Sequence, residues 1–348
     1  MTDTSAPDGP DRPGPAGATG QPPRKRRRLW LRVLLPVAAV LVLTLAAAGI
    51  YAYTLDRSIT RNITRGIDLP GGDPTGTGAS AAPSQPPETG ALDVVLLGSD
   101  TRDPGAEQGR SDSIMVAHLN QARTKAYIVS FPRDMYVTIP GHGKDKINAA
   151  YSLGGPALTV QTLESLTGVR MDHVALVDFE GFIALTKDLG GVTVTNKTAF
   201  TSHGFDYPKG KVTLEGEKAL WFVRERHALP KGDLDRAANQ RNVIKAIVAK
   251  GLSADVVADP ARFTGFVGNL AKHVTVDNSL SDAEIRRIAV SLRLQAKDIA
   301  LLQAPLSGFS TSPSGESIDL VDAAQLKELS EAMQQDTMDR YLEKHPQG

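Results

Sequence analysis

The chain has 348 residues, 39 Lys and Arg against 39 Asp and Glu, 41% hydrophobic residues and no cysteine. That length and balance fit a globular protein carrying extra segments, and the absence of cysteine excludes a fold held by disulfides. The charge is nevertheless unevenly spread.

Residues 1 to 23 are rich in Pro, Gly and Asp with scarcely a large apolar side chain, so they are expected to remain disordered. The run Arg24-Lys25-Arg26-Arg27-Arg28 follows, and alone it would suit nucleic acid. Its neighbour argues otherwise. From Val33 to Tyr53 there is no charged residue, a length of about 20 residues that crosses a hydrocarbon core as a helix. Trp30, Tyr51 and Tyr53 lie near its ends, where amphipathic rings prefer the interface. The basic cluster precedes the span, which predicts a cytoplasmic amino terminus and everything beyond Tyr53 outside the membrane. A cleaved signal peptide is the competing reading, because Ala46-Ala47-Ala48 offers small residues, but the apolar stretch is longer than a usual signal core. The expected organisation is a tail with the basic cluster over 1–28, a transmembrane helix over 29–55, a Pro-, Gly-, Ser- and Thr-rich tether over 56–91, and one extracytoplasmic α/β domain over 92–345.

The domain is organised around Leu92 to Asp112. The run Val94 to Leu97 reads as a buried strand that stops at Gly98, and Ser99, Asp100 and Arg102 follow it directly. Arg110, Ser111 and Asp112 lead into the next strand, Ile114 to Leu119. Two carboxylates thus flank one loop at strand ends, where α/β sheets bind ligands; with arginines they could hold a divalent cation beside an anionic oxygen. A strand over Ala126 to Phe131 ends the same way, in Arg133 and Asp134, and Lys144, Lys146 and Asn148 follow in a glycine-containing loop. A helix is predicted from about Pro156 to Leu166, with Pro in its first turn. Then come a strand over His173 to Val177, a helix over Phe179 to Leu189 stopped by Gly190-Gly191, and a strand over Val192 to Thr195. Asp172, Asp178 and Asp188 suit caps and turns. His203 and His227 lack a second histidine at metal-ligand spacing, which argues against a zinc site.

Leu214 to Ile247 is the other informative stretch. A helix over Glu215 to Glu225 ends in Arg224-Glu225-Arg226, and Asp233 or Asp235 suits the cap of a long second helix on which Arg236 and Gln240 share a face. Arg224, Arg226, Arg236 and that helix start could converge on one anion, although a salt-bridged surface helix reads the same. Beyond Ala249 the pattern predicts helices over about Pro260 to Lys272 and Ser281 to Leu292, a strand over Ile299 to Gln303 and a closing helix from Asp322 to Leu342, with no site among them.

The segments LLGSDTR, GRSDSIMV, SFPRDMYVTIPG, KINAAYSLGG, DHVALVDFEGF, LGGVTV, LWFVRER and GDLDRAANQ occur in this order across Leu92 to Ile247. Together they resemble the ordered motifs of the LytR-CpsA-Psr family. The resemblance implies a central mixed β-sheet flanked by helices behind a single amino-terminal transmembrane helix. It also implies a magnesium-dependent enzyme in the cell membrane that transfers a phospho-linked glycopolymer from a polyprenyl-pyrophosphate carrier to peptidoglycan, usually the muramic acid 6-hydroxyl. On it, Asp100 and Asp112 match metal-associated aspartates, and Arg102, Arg133, Arg224, Arg226 and Arg236 match pyrophosphate-binding arginines. Asp134, Lys146, Asp233 and Gln240 match further polar positions. The helix departs from the family's frequent Arg-Gln-Gln by reading Asn239-Gln240-Arg241. The expected partners are the lipid-linked glycopolymer, peptidoglycan and the membrane, with no nucleic acid. The alternatives are a pyrophosphatase acting on lipid-linked pyrophosphate and a non-catalytic polyprenyl-phosphate binder of the envelope.

Overall fold

The computed structural model describes residues 62–70, 90–99 and 111–346. The expected tail and transmembrane helix lie outside these residues; among the described residues no helix is long and apolar enough to cross a membrane.

In chain order the first strands are β1 (Thr64–Ile67), β2 (Leu92–Ser99), β3 (Ser111–Leu119), β4 (Ala126–Ser130), β5 (Tyr136–Ile139) and β6 (Gly143–Lys146). Helix α1 (Ala149–Thr167), β7 (His173–Asp178), α2 (Phe179–Asp188), β8 (Val192–Asn196), β9 (Phe200–Ser202), β10 (Phe205–Tyr207) and β11 (Gly210–Leu214) follow. Then come α3 (Gly216–Arg224), α4 (Asp233–Gly251), α5 (Ala254–Val257), α6 (Pro260–Lys272), β12 (Thr275–Asp277), α7 (Asp282–Ser291) and β13 (Ile299–Gln303). The hairpin β14 (Leu306–Thr311) and β15 (Ser317–Val321) precedes α8 (Ala323–Gln334) and α9 (Met338–Lys344).

Seven strands form one sheet in the order β1-β12-β7-β2-β3-β4-β13. It is mixed: β7 runs parallel to β2 and β13 to β4, while β3 is antiparallel to both β2 and β4. Apolar side chains lie on both faces of the central strands, and all five residues of β4 are buried. On one face Val95, Leu97, Val116 and Val129 pack with Val160 and Leu163 of α1 and with Leu326 and Leu329 of α8. On the other, Met115, Ile128 and Ile299 meet Ile244 and Val248 of α4. Each such side chain taken fully from water contributes roughly 1.5–3 kcal/mol. A separate cluster joins β8, β11, α2 and α3 to Val243 and Ile247, so α4 is packed on both sides.

The structure departs from the sequence reading in several places. The stretch expected to be a tether contains β1, which pairs in parallel with β12 and buries Ile67, because Thr64 and Ile67 gain a strand partner that lies far off in the sequence. The first helix begins earlier than Pro156, at Ala149, and turns at Gly154 and Gly155, so proline starts its second segment. The closing helix is two helices, interrupted where Asp336 adopts φ 54° and its carboxylate accepts from the Gln121 amide. The hairpins β5–β6, β9–β10 and β14–β15 were not anticipated.

Candidate active site

The site lies at the end of the sheet where β2 and β4 terminate and β3 begins. Gly98 pairs with Ser113 and Ser99 with Ser111, so Asp112 is the extra residue of a β-bulge. A bulge re-aims the side chain it carries. Gly98 permits the close pairing, since a β-carbon there would lie 3.0 Å from that of Ser113. After β4, the turn closed by the Met135 amide on the Pro132 carbonyl presents Arg133 and Asp134 at the same end.

Arg133 is the hub. Its Nη1 donates to Asp112 Oδ1 at 2.7 Å and its Nε to Asp233 Oδ2 at 2.7 Å, with Asp134 Oδ2 at 3.6 Å. Burial opposes its charge, but these carboxylates raise its pKa above the usual guanidinium value. Asp233 also receives Arg236 Nη2 at 2.9 Å and lies 3.6 Å from Arg226 Nη1. Burial would push Asp233 up, yet Arg236 and Arg133 hold its carboxyl below the ordinary aspartate range. Arg236 is buried, and desolvation together with repulsion from Arg133 lowers its pKa. Gln240, one turn along α4, donates to the Val223 carbonyl and ties the helix to α3.

The helix start differs from expectation. Gly232, at φ 52°, stands at the cap and no side chain caps α4. Asp233 is instead the first helical residue with its carboxylate turned to the arginines, and Asp235 accepts from the Lys231 amide at 2.9 Å. In this position Asp233 receives two cationic donors, whereas a cap carboxylate would receive only backbone amides.

Lys146, at the end of β6, completes this side with Asp134 Oδ1 at 3.3 Å and Glu316 Oε1 at 3.7 Å. The structure therefore brings together Asp112, Arg133, Asp134, Lys146, Arg226, Asp233 and Arg236. Arg224 is placed differently: its guanidinium lies over the Phe179 ring at 4.4 Å and near the Trp221 ring at 5.2 Å. Asp100 and Arg102 lie outside the described residues.

Two residues join the site that sequence reasoning did not select. Asp319 of β15 donates its amide to the Asp134 carbonyl at 2.8 Å and is buried beside the cluster. Burial, with Asp134 and Asp233 nearby, pushes its carboxyl up to about 6. Arg241, one residue past Gln240, donates to Ser130 Oγ at the end of β4, and burial alone lowers its pKa to about 10. Asp319 lies just past the hairpin turn of residues 312–316 in a region without motif, and nothing in its neighbourhood could have distinguished it. The departure at Arg241 was visible in the sequence.

Among the described residues no three His, Cys, Asp or Glu side chains converge to hold a metal ion. The arrangement is instead one of guanidinium groups neutralised by carboxylates, a cradle that fits a dense anion such as a pyrophosphate.

Residues 73–335 match the model of the LytR-CpsA-Psr family. The chain is 36% identical to the Enterococcus faecalis polyisoprenyl-teichoic acid–peptidoglycan teichoic acid transferase TagU over 242 residues, covering 69% of this chain and 78% of that protein. The crystal structure of Bacillus subtilis TagV superposes with a TM-score of 0.63 at 26% identity, covering 72% of this chain and 98% of that one. TagT bound to LIIa-WTA superposes with a TM-score of 0.58 at 28% identity, covering 78% of this chain and 100% of that one. The ordered motifs, the mixed sheet and these matches agree, and the chain belongs to the LytR-CpsA-Psr family.

Proposed function

We propose that this chain is a phosphotransferase that moves an anionic glycopolymer from a polyprenyl-pyrophosphate carrier to peptidoglycan, at a muramic acid 6-hydroxyl. The observation that supports this reading most directly is the meeting of Arg133, Arg226 and Arg236 at the single carboxylate of Asp233. Three guanidinium groups around one acid form a site whose anion is exchangeable: a pyrophosphate offers more negative charge and more acceptor oxygens than one carboxylate. The transferase name of the E. faecalis relative and the teichoic acid bound to TagT point to the same class of substrate.

Phosphoryl transfer asks a protein chiefly for positioning and for cationic charge on the phosphate oxygens. Arg133 and Arg236 are fixed by their carboxylate partners, so they meet the pyrophosphate without first losing side-chain freedom. Arg226 is the more exposed guanidinium and reaches the outer side. The acceptor hydroxyl attacks the sugar-linked phosphorus directly; no enzyme nucleophile is required. Asp112 and Asp100 would hold Mg2+, for which carboxylate oxygens are suitable donors, and the ion would supply further charge neutralisation at the phosphates. The bulged position of Asp112 suits that role, since its carboxylate already faces the cluster. The amino-terminal span would keep the domain on the outer face of the membrane, beside the lipid carrier.

The test is release of polyprenyl phosphate from a polyprenyl-pyrophosphate glycan by the full chain in detergent, with magnesium and a peptidoglycan oligosaccharide, comparing wild type with Arg236→Ala. Metal-dependent formation of a phosphodiester-linked product, lost in the variant, is the expected result. Release without linkage would make the protein a pyrophosphatase. Tight binding without release would make it a non-catalytic binder.

A further inference from the structure

A cleft of about 410 Å³ opens beside the arginine cluster, between the start of α4 and the β14–β15 hairpin. Leu234, the neighbour of Asp233, forms one wall; Gln303, Leu306, Ser307, Phe309 and Gln325 contribute others. Its volume lies in the range of small-ligand sites, roughly 300–1,000 Å³. No charged side chain lines it, in contrast to the crowded charges one residue away at Asp233.

Phe309 is 66% exposed. An aromatic ring held in water at the lip of a cleft with amides and a hydroxyl is the surface a pyranose recognises: one sugar face packs its C–H groups on the ring, and the hydroxyls bond to the polar groups. Across the hairpin Phe309 pairs directly with Asp319. Directly opposed residues of an antiparallel pair project to the same face, so the ring and the carboxylate leave the hairpin on one side, the ring in water and the carboxylate buried. Asp319 in turn is joined through its amide to Asp134 of the charged cluster. One hairpin therefore carries a sugar platform and, beside it at the phosphate cradle, a carboxylate.

We propose that the β14–β15 hairpin forms the acceptor subsite: Phe309 and the uncharged cleft seat a sugar residue of the peptidoglycan glycan, and Asp319 takes the proton of its attacking hydroxyl. This rests on the transferase reading. The acceptor oxygen forms a bond to the sugar-linked phosphorus, the bridging P–O bond breaks with its electron pair on the departing polyprenyl phosphate, and the hydroxyl proton passes to the Asp319 carboxylate. The uncharged cleft seats the acceptor sugar beside the donor's phosphates, which the arginines hold. Asp319 faces Asp134, Asp233, Lys146 and Arg133 from the neighbouring elements. Burial, with Asp134 and Asp233 adding to it against Lys146 and Arg133, keeps its carboxylate basic enough to accept a proton near neutral pH.

The experiment compares wild type, Phe309→Ala, Phe309→Trp and Asp319→Asn as full chains. The readouts are transfer at varied acceptor concentration, affinity for the polyprenyl-pyrophosphate donor, and binding of a tetrasaccharide of alternating N-acetylglucosamine and N-acetylmuramic acid. Phe309→Ala is expected to raise the acceptor KM about tenfold and weaken tetrasaccharide binding equally, with donor affinity within twofold; Phe309→Trp restores both. Asp319→Asn is expected to lower kcat at least 100-fold, leave donor affinity and acceptor KM within threefold, and remove the acid limb near pH 6 from the rate profile. Unchanged acceptor KM and tetrasaccharide binding in Phe309→Ala would overturn the subsite, and a raised donor KM instead would assign the cleft to the donor glycan. A retained acid limb in Asp319→Asn would remove its role as base. If wild type transfers nothing, the transferase reading fails, while tetrasaccharide binding still decides whether the cleft holds a glycan.

Discussion

The two ends of the central sheet handle charge in opposite ways. At the end away from the site, the buried basic groups are histidines: His118 Nδ1 lies 2.9 Å from Asp93 with Asp336 3.5 Å from its Nε2, and His173 Nδ1 lies 3.2 Å from Asp277. Backbone amides complete these groups, with Asp277 accepting from Val174 and Leu280 and Asp93 donating its own amide to Asp172. At the site end the cations are arginines that share carboxylates, and Asp319 has no ion-pair partner among the described residues. The far end uses charge to fix elements of the fold to one another. The site end holds charge that an incoming anion can redistribute, and it carries the cost of one buried acid whose desolvation exceeds its compensation by Lys146 and Arg133.

The sharpest way to break this contrast is Arg133→Ala. It removes the group shared by Asp112, Asp134 and Asp233, so transfer is expected to fall about 10³-fold, the lower end of what an arginine contributes to phosphoryl transfer. Thermal stability should also fall, because breaking a partly buried charge network leaves acids unpaired. Arg133→Lys should rescue little, since an ammonium cannot present two fixed donors to Asp112 and Asp233 at once. Single-turnover rates with a matched melting curve check this; a loss under tenfold would mean that the hub is structural only.

Asp319→Asn tests the cost at the site end. The folded carboxyl titrates at about 6, above its ordinary 3.8, so the folded state binds the proton more tightly than the unfolded state. Stability therefore declines as pH rises from about 4 to 6, and the fixed neutral amide escapes that decline. At pH 7 the variant should be more stable by about 1–3 kcal/mol, with the difference vanishing near pH 4. Denaturant melts at both pH values decide it. A site residue that weakens the fold while serving the reaction is the expected trade.

The far end has a different pH window. Burial disfavours charge on His118, but Asp93 and then Asp336 outweigh it and raise its pKa above the ordinary imidazole value. A raised histidine contributes stability that is fully present below about 6.5 and is lost as pH rises through the folded pKa. Asp336 sits in the break between α8 and α9, so amides of these helices should exchange faster at pH 9 than at pH 6 after correction for intrinsic rates. His118→Gln should flatten that dependence. An unchanged pH dependence in the variant would place the titration elsewhere.

The contrast also explains what the sequence could and could not disclose. Strands such as Ile299–Gln303 and helices such as Pro260–Lys272 were legible because apolar period and caps act within one segment. The charges before Ile114, after Phe131 and around Asp233 were legible because they follow strand and helix ends. The hairpin carrying Phe309 and Asp319 was not, for its registration depends on pairing with distant partners, including the bridge from Asp319 to Met135. The same holds for β1, whose partner strand begins at Thr275, more than two hundred residues later. His118 and Asp93 lie on adjacent strands at opposed register positions, a relation that neither residue shows alone.

Arg224 gives the smallest expected effect and separates the two arginines of the Arg224-Glu225-Arg226 sequence. Arg226 reaches Asp233, whereas Arg224 is exposed and forms the outer layer of a stack in which His203 lies 3.4 Å from the other partner, Trp221. A guanidinium on aromatic rings at an exposed site contributes about 0.5–1 kcal/mol. Arg224→Ala should therefore destabilise by that amount and reduce transfer less than tenfold, a barrier change below about 1.4 kcal/mol. Arg226→Ala should cost more activity and less stability, because its partner is the acid at the cradle and its side chain is partly in water. If Arg224→Ala instead loses more activity than Arg226→Ala, the guanidinium leaves the rings for the substrate phosphates during turnover. The cradle would then be assembled by the ligand rather than held ready by Asp233.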